Sequence, residues 1–331
     1  MTMSGSREPV GHGSGTPALP AEAFPLSAVQ RSMWFAQQLT PAVPIFIAQY
    51  VTLQGDLDVD LLSRCAVTAA EEFQSPFLHL IDVDGEPYQF IDPDTDTSIE
   101  QVDLRDHPDP TAAAHAWMEH DYSVPIDLTR DRLIDMTILQ VGDREYLWYT
   151  RIHHVALDGY SGMTVANRIA ALYTAALEHR DPEPNRALDL RELLAIDQKY
   201  RASGRFQADR EYWADHIAGI EAGSTLAETD APVSAVSRLE SAPLPEAVIT
   251  ALDSTDRTLE ATPAAVLIAA FACYLARMTG RTDVLVNMPS RLAPRRRCSG
   301  PAACSSTWHR CVRRSCPTTP SPTSWAGSSW N

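Results

Sequence analysis

Apolar and polar positions in the first 180 residues switch repeatedly between a helical and a strand period. Apolar residues recur every three or four positions in four segments, which predicts the helices Phe24–Leu39, Leu57–Phe73, Pro110–His120 and Ser161–His179. Shorter segments rich in β-branched and aromatic residues predict the strands Ile45–Leu53, Phe77–Asp82, Tyr88–Ile91, Leu133–Val141 and Glu145–His153. Turn residues at Asp84-Gly85 and Gly142-Asp143 join the last four strands into two predicted hairpins.

A proline-rich stretch, Asp181-Pro-Glu-Pro-Asn185, interrupts this pattern, and we place a lobe boundary there. The expected N-terminal lobe is 24–180 and the expected second lobe is 181–290. The second lobe continues with the predicted elements Leu188–Tyr200, Ala208–Ile220, a helix opening at Thr262-Pro263 and a strand starting at Val284–Asn287. Because hairpins accompany the alternation of helices and strands, the predicted fold class is α/β with mixed sheets, not a doubly wound parallel sheet.

Composition narrows the range of partners. The formal charge of −16 argues against nucleic acid or an anionic membrane. Residues 1–23 are small and polar and lack the apolar core of a secretory signal, so we expect a disordered leader. The apolar run Ala264–Ala276 is only 13 residues long, which predicts a buried helix and not a membrane span. These features together favour a cytoplasmic location.

Residues 291–331 differ in composition from everything before them. All 43 acidic residues lie at or before Asp283, whereas this segment has seven arginines and no acid. It also holds four of the six cysteines and three of the seven tryptophans, without a helical or strand period.

Three interpretations of this segment compete. A zinc site requires closely paired ligands, but five, six and four residues separate neighbouring cysteines. A basic nucleic-acid-binding tail is typically rich in lysine, and Lys199 is the chain's only lysine. A frameshift in GC-rich DNA accounts best for the mixture of Arg, Pro, Ala, Ser, Cys and Trp. We therefore expect an out-of-frame, disordered tail without a function of its own.

The stretch RIHHVALDGYSG, residues 151–162, holds the candidate chemistry. Strand alternation places His154 on one face with Trp148 and Ile152, and His153 on the other face. Asp158-Gly159 follows after three residues and precedes a helix, so a carboxylate and free backbone N–H groups lie beside the histidines. A single histidine at a strand end is usually a packing residue, but this combination is more specific.

This stretch contains HHxxxDG, and the chain resembles the condensation domains of nonribosomal peptide synthetases, which belong to the chloramphenicol-acetyltransferase-like superfamily. PLSAVQRSMWFAQQL resembles the family's opening motif, and the pair Tyr212-Trp213 in YRASGRFQADREYWADHI resembles a later one. EYLWYTRIHHVALDGYSG is similar to first condensation domains of enterobactin-type siderophore synthetases. The resemblance covers residues 24 to about 290 and implies a two-lobed chloramphenicol-acetyltransferase-like fold.

The chain departs from this family in two places. The arginines of the family's R-H-E-x-L-R stretch are absent from AAEEFQSPFLHL, residues 69–80. The second lobe is also incomplete, because the segment 291–331 replaces its later part. Arg291 matches the family arginine that pairs with the motif aspartate, and it lies at this break.

The resemblance implies that the chain joins two thioester-bound groups, each delivered on the phosphopantetheine arm of an upstream or downstream carrier protein domain. His154 is then the catalytic base or an orienting group, since a histidine near neutral pKa suits amine deprotonation. His153 is expected to be structural, and Asp158 to hold the loop through an arginine. Gly159 is expected to let a backbone N–H approach the reacting carbonyl. No metal or cofactor bound by the chain itself is implied, and an adenylation domain is an expected partner.

Other functions stay open at this point. The chain could be an inactive fragment of such a synthetase, or a stand-alone acyltransferase of the superfamily that uses acyl-CoA. An epimerisation domain shares HHxxxDG but normally follows a carrier domain, and a non-enzymatic binding module has no positive feature. An aryl acid donor, a serine-like acceptor and a role in siderophore biosynthesis follow from the resemblance alone.

Overall fold

The computed structural model of the chain describes residues 19–185, 187–220, 226, 227, 234, 242–259, 261–291 and 306–313. For 253, 255–259, 287–291 and 306–313 it describes the backbone alone. The chain divides into two compact units between Leu194 and Ala195. The sequence places the lobe boundary slightly earlier, at 181–185, and that boundary stays a prediction.

The first unit contains seven strands and four helices among its described residues before the division. In chain order they are β1 Phe24–Pro25, α1 Ala28–Leu39, β2 Phe46–Gln54, α2 Val59–Phe73, β3 Leu78–Val83, β4 Glu86–Ile91, β5 Glu100–Asp103, α3 Pro110–Ser123, β6 Ile134–Gly142, β7 Glu145–His153 and α4 Gly159–Leu177. The helix α1 begins at Ala28, four residues after the predicted start at Phe24. Ser27 caps it, since the Ser27 hydroxyl accepts from the Gln30 N–H and the Gln30 side chain accepts from the Ser27 N–H.

The main sheet has the strand order β2-β7-β6-β5. Its β2–β7 and β6–β7 pairs are antiparallel, whereas β5 and β6 are parallel, so the predicted mixed sheet is confirmed. Both predicted hairpins form, β3–β4 in a smaller sheet with β1 and β6–β7 in the main sheet. At the first turn Asp84 and Gly85 both have positive φ, 54° and 84°, as a tight hairpin turn requires.

Side-chain alternation along β7 divides the core of this unit into two layers. Trp148 and Ile152 join the larger cluster, to which α2 and α4 contribute Phe73, Val165 and Ile169. Leu147 and Tyr149 face the opposite side and pack with Ala114 and Met118 of α3. Because β7 is buried on both faces, its last residues are held in a rigid setting.

The helix α5, Leu190–Arg201, runs through the division between the two units. The second unit continues with α6 Gly204–His216, α7 Glu246–Leu259, α8 Pro263–Thr279 and the antiparallel strands β8 Val284–Arg291 and β9 Ser306–Arg313. No described helix is long and apolar enough to cross a membrane.

The predicted apolar helix at Ala264–Ala276 forms as α8, but it is less buried than expected. Leu275 and Ala276 are buried, whereas Leu267, Phe271 and Tyr274 are 44–49% exposed. Among the described elements, α7 and β8 pack against α8 and leave this apolar stripe open. The expected leader 1–23 lies mostly outside the described residues. Much of 291–331 does too, so its expected disorder stays a prediction, and the strand β9 within it was not foreseen.

Candidate functional site

The two adjacent histidines lie where β7 ends. His153 is opposite Phe46 in the β2–β7 register, and its backbone N–H donates to the Leu133 carbonyl at 2.8 Å. The His154 backbone N–H donates to the Ile45 carbonyl at 3.0 Å. Each histidine is therefore fixed to a different neighbouring segment of the main sheet.

The His153 side chain is fully buried. Its Nε2 lies 3.1 Å from Oε1 of Gln37, and its Nδ1 accepts from the Val155 backbone N–H at 3.1 Å. The Phe46 ring meets it edge to face, with the centroids 5.6 Å apart. Burial lowers the pKa of His153 to about 3, and His154 and Arg151 add to this effect. His153 is neutral at pH 7, which fits the structural role predicted for it.

The three residues between the histidines and Asp158 anchor the turn. Val155, Ala156 and Leu157 are all buried within the larger core cluster. The Ala156 N–H also donates to the His153 carbonyl at 2.9 Å. Since apolar burial on this scale opposes local unfolding, the turn is rigid although it contains no regular element.

His154 differs from His153 in its exposure. Its imidazole is half-buried, and none of the described residues forms a hydrogen bond with it. Burial lowers the pKa of His154, while the Asp158 carboxylate acts in the opposite direction. A neutral imidazole with available ring nitrogens can accept a proton or donate a hydrogen bond to a ligand.

Asp158 and Gly159 start the helix α4. The Asp158 carboxylate accepts from the Ser161 N–H at 2.8 Å, and its carbonyl accepts from the Gly162 N–H at 2.9 Å. Asp158 therefore acts as the N-cap, and no arginine among the described residues pairs with it. Apart from its chain neighbours and its own helix backbone, a Cβ on Gly159 would meet no atom of the described residues within 4 Å, so a bound group is the remaining candidate for crowding at this position.

A charged network lies beside the histidines and was not foreseen from the sequence. Arg151 is 8% exposed, and its guanidinium contacts Asp121 at 3.0 Å and Asp135 at 2.5 Å. Tyr149 donates to the same Asp121 at 3.0 Å, and burial raises the pKa of Tyr149. The network fixes β7 to α3 and β6. The sequence offers one signal for it, an arginine at an inward position of a buried strand.

The structure thus brings together four of the five predicted site residues: His153, His154, Asp158 and Gly159. The fifth, Arg291, is the last residue of β8, and its side chain is outside the described part of the structure. Its pairing with Asp158 stays a prediction. Within the described residues, no three His, Cys, Asp or Glu side chains converge to hold a metal ion.

The chain is similar in sequence to known proteins over most of its length. The model of the family named Condensation domain matches residues 21–296. A dimodular nonribosomal peptide synthase of Bacillus subtilis is 32% identical over 270 residues, 80% of this chain and 11% of that protein. The isonitrile lipopeptide synthase of Streptomyces coeruleorubidus is 33% identical over 269 residues, 80% and 18% respectively. Enterobactin synthase component F of Escherichia coli is 27% identical over 273 residues, 80% and 21%. The chain thus spans 11–21% of these relatives' lengths.

Solved structures resemble the fold closely. A mutant starter condensation domain of rhizomide synthetase in complex with C8-CoA has 31% identity and a TM-score of 0.79, over 90% of this chain and 68% of that chain. The first condensation domain of the calcium-dependent antibiotic synthetase, with a substrate analogue, has 26% identity and a TM-score of 0.79, over 90% and 71%. The predicted fold class is therefore confirmed.

Proposed function

Because the chain belongs to the condensation-domain family, whose members are acyltransferases that form amide bonds, we propose that it joins a carrier-bound acyl thioester to the amine of a carrier-bound aminoacyl group. The observation that carries the proposal is the division of labour between the histidines, since His153 is locked in the core and His154 presents a half-buried, neutral imidazole. The match of the family model to residues 21–296 supports it.

In the proposed reaction, His154 is the general base that accepts a proton from the attacking amine. The amine nitrogen attacks the thioester carbonyl carbon and forms the C–N bond. His154 accepts the proton that this nitrogen loses, and the C–S bond breaks as the tetrahedral intermediate collapses. The thiolate of the donor arm takes up a proton, so the products are an amide and a free thiol. Asp158 holds the helix start, and Gly159 leaves space for a bound group beside the turn.

Partners and substrates extend the proposal. The proposed reaction needs a donor and an acceptor carrier domain, each with a phosphopantetheine arm. It also needs an adenylation domain that loads the amino acid onto the acceptor carrier. We propose that these domains belong to a cytoplasmic synthetase. An aryl acid donor and a serine-like acceptor in siderophore biosynthesis are supported by the similarity to enterobactin synthase component F. A fatty acyl donor is the second candidate, because the starter domain at 31% identity was solved with C8-CoA.

Two donors distinguish these candidates. The full chain is mixed with a carrier protein bearing either a salicyl or an octanoyl phosphopantetheine thioester, together with seryl-loaded and leucyl-loaded acceptor carriers. Mass spectrometry of the acceptor arm then detects the amide. We expect an amide from only one of the salicyl and octanoyl donors. An amide from the octanoyl donor alone would contradict the siderophore assignment and favour a fatty acyl donor.

The His154→Ala variant tests the assigned base. We expect it to lose amide formation by at least about 100-fold, as is typical when a general base is removed. His107→Ala is the matched control, since His107 is exposed and lies far along the chain from the motif. Undiminished product from His154→Ala would refute the role of His154. Carrier binding without product from the unaltered chain, with every donor and at any enzyme concentration, would favour the alternative of a non-enzymatic binding module.

A further inference from the structure

A glutamine far from the motif in sequence is in direct contact with it. Gln37 lies on α1, is 6% exposed, and is separated from His153 by 116 positions. Its Nε2 donates to the carbonyls of Thr40 and Val43, at 3.2 and 3.1 Å. Its Oε1 faces Nε2 of His153 at 3.1 Å. All the hydrogen-bonding groups of this amide are therefore used within the fold.

These contacts determine which ring nitrogen of His153 carries the proton. The two carbonyls can only accept, so the amide nitrogen of Gln37 must face them and its oxygen must face the imidazole. The oxygen needs a donor, which makes Nε2 of His153 the protonated nitrogen. Nδ1 is then free to accept from the Val155 N–H, as observed at 3.1 Å. The opposite tautomer would oppose two acceptors at one end and two donors at the other.

The same side chain fixes the backbone on both sides of His154. Gln37 orients His153, whose Nδ1 accepts from the backbone N–H of Val155, the residue after His154. Through Val43 it holds the segment leading to Ile45, whose carbonyl accepts from the His154 N–H. Rotation or displacement of the Gln37 amide would therefore change both supports of the His154 backbone at once.

We infer that Gln37 is a positioning residue for the reaction: it fixes the tautomer of His153 and the backbone of the His154 turn, and so places the His154 imidazole. This inference rests on the proposed function as far as the reaction is concerned, but its structural part is independent of it. A side chain that only filled space could be replaced by an apolar one of similar size. Here an apolar replacement would leave the Nε2–H of His153 and the Val43 carbonyl without their partner, whereas the Thr40 carbonyl would keep the Val43 N–H.

The first experiment examines the tautomer directly. The full chain is labelled at its histidine ring nitrogens, and nitrogen–proton correlation spectra are recorded at pH 7. The His153 signals are identified by their loss in His153→Asn. We expect a protonated Nε2 and an unprotonated Nδ1 for His153. Gln37→Met should displace the Nε2–H signals of His153, because that N–H loses its acceptor, whereas Gln38→Met, at the exposed neighbouring position, should leave them in place.

The second experiment measures amide formation by the same variants. We expect Gln37→Met to lower kcat by about 10- to 100-fold with little change in KM, as for a displaced catalytic group. Because Gln37 acts through His153, the effects of Gln37→Met and His153→Asn should be less than additive in the double variant.

The outcomes separate the two ideas. A protonated Nδ1 in the unaltered chain, or an unchanged spectrum in Gln37→Met, would overturn the inference whatever the activity. An altered spectrum with unchanged kcat would also overturn the positioning role. Absence of amide product from the unaltered chain, together with the expected spectra, would refute the proposed function and leave the tautomer assignment confirmed.

Discussion

His153 and His154 are neighbours in the chain, yet the end of β7 gives them different surroundings. His153 is fully buried between Gln37 and Phe46, and its two ring nitrogens are both engaged. His154 is half-buried, and burial lowers its pKa while Asp158 opposes that change. The fixed neutral ring of His153 therefore stabilises the turn, whereas the accessible neutral ring of His154 can exchange a proton with a ligand.

The buried state of His153 makes a definite prediction about stability and pH. Burial lowers its pKa from 6.5 to about 3. Protonation therefore favours the unfolded chain, so the contribution of His153 is complete above pH 6.5 and is lost as the pH falls towards 3. We expect the difference in unfolding free energy between the unaltered chain and His153→Asn to shrink by about 2 kcal/mol between pH 7 and 5.

Urea unfolding at several pH values measures this difference. His107→Asn serves as the control, because His107 is exposed and lies far along the chain from the motif. Asp96 and Asp103 also have lowered pKa values, but their contribution is lost at lower pH, below their ordinary value of 3.8. A constant difference for His153→Asn would show that His153 titrates normally in the folded chain.

Two glycines of the motif region should respond differently to alanine. Beyond its own helix and chain neighbours, a Cβ on Gly159 meets no atom within 4 Å in the part of the chain that the structure describes, whereas a Cβ on Gly162 would lie 2.9 Å from Cδ1 of Ile152. We expect Gly159→Ala to keep or slightly raise the unfolding free energy, by up to about 1 kcal/mol, and to reduce amide formation. Gly162→Ala should lower the unfolding free energy by about 1–3 kcal/mol through overpacking.

Thermal and urea unfolding check both variants. Adding Ile152→Val to Gly162→Ala removes the atom that clashes. The double variant should therefore lose less unfolding free energy than the sum of the losses in the two single variants. Strict additivity would show that the helix shifts instead. Full amide formation by Gly159→Ala would remove the reason given for a glycine at that position.

At the scale of elements, α4 begins at the motif and converts its aspartate into a helix cap. The Asp158 carboxylate accepts from the Ser161 N–H, which an asparagine can also satisfy. We expect Asp158→Ala to lower the unfolding free energy by about 1 kcal/mol and Asp158→Asn to lower it much less. Because the carboxylate raises the pKa of His154, Asp158→Asn should move the acidic limb of the kcat–pH profile to lower pH.

Stopped amide-formation assays from pH 5 to 8 on Asp158→Asn test this prediction. If Asp158 acts on the substrate, the variant loses activity at every pH and the limb does not move. A limb displaced to higher pH would contradict the electrostatic link between Asp158 and His154.

The elements with a strong period could be predicted from the sequence, and the long-range contacts could not. The β6–β7 hairpin and the opposite faces of His153 and His154 follow from alternation alone. The strand β5 was missed because Glu100–Asp103 is short and polar and lies at a sheet edge. The helix α7 was missed as well, although its first residues follow Pro245. Gln37 gave no local signal, since its partner lies 116 positions away.

At the scale of the whole molecule, the two compact units differ in how much they bury. The first unit has a large two-layer core on both faces of the main sheet. In the described part of the second unit the buried cluster consists of Leu275, Ala276 and Val284. Local opening should therefore cost far less free energy in the second unit than in the first.

Hydrogen exchange measures this contrast directly. We expect amides of β6 and β7 to exchange through global unfolding alone, because both strands are hydrogen-bonded on two sides and covered by α2, α3 and α4. Amides of α8 should exchange faster by several orders of magnitude, since Leu267, Phe271 and Tyr274 leave one side of that helix exposed. Exchange should be unchanged in α8 when Gly162→Ala accelerates it in β7, because β7 and α8 belong to different units. Equal protection in β7 and α8 would instead mean that the chain unfolds as a single cooperative unit, and so would acceleration of exchange in both elements by Gly162→Ala. The stability of the His154 turn would then depend on the second unit as well.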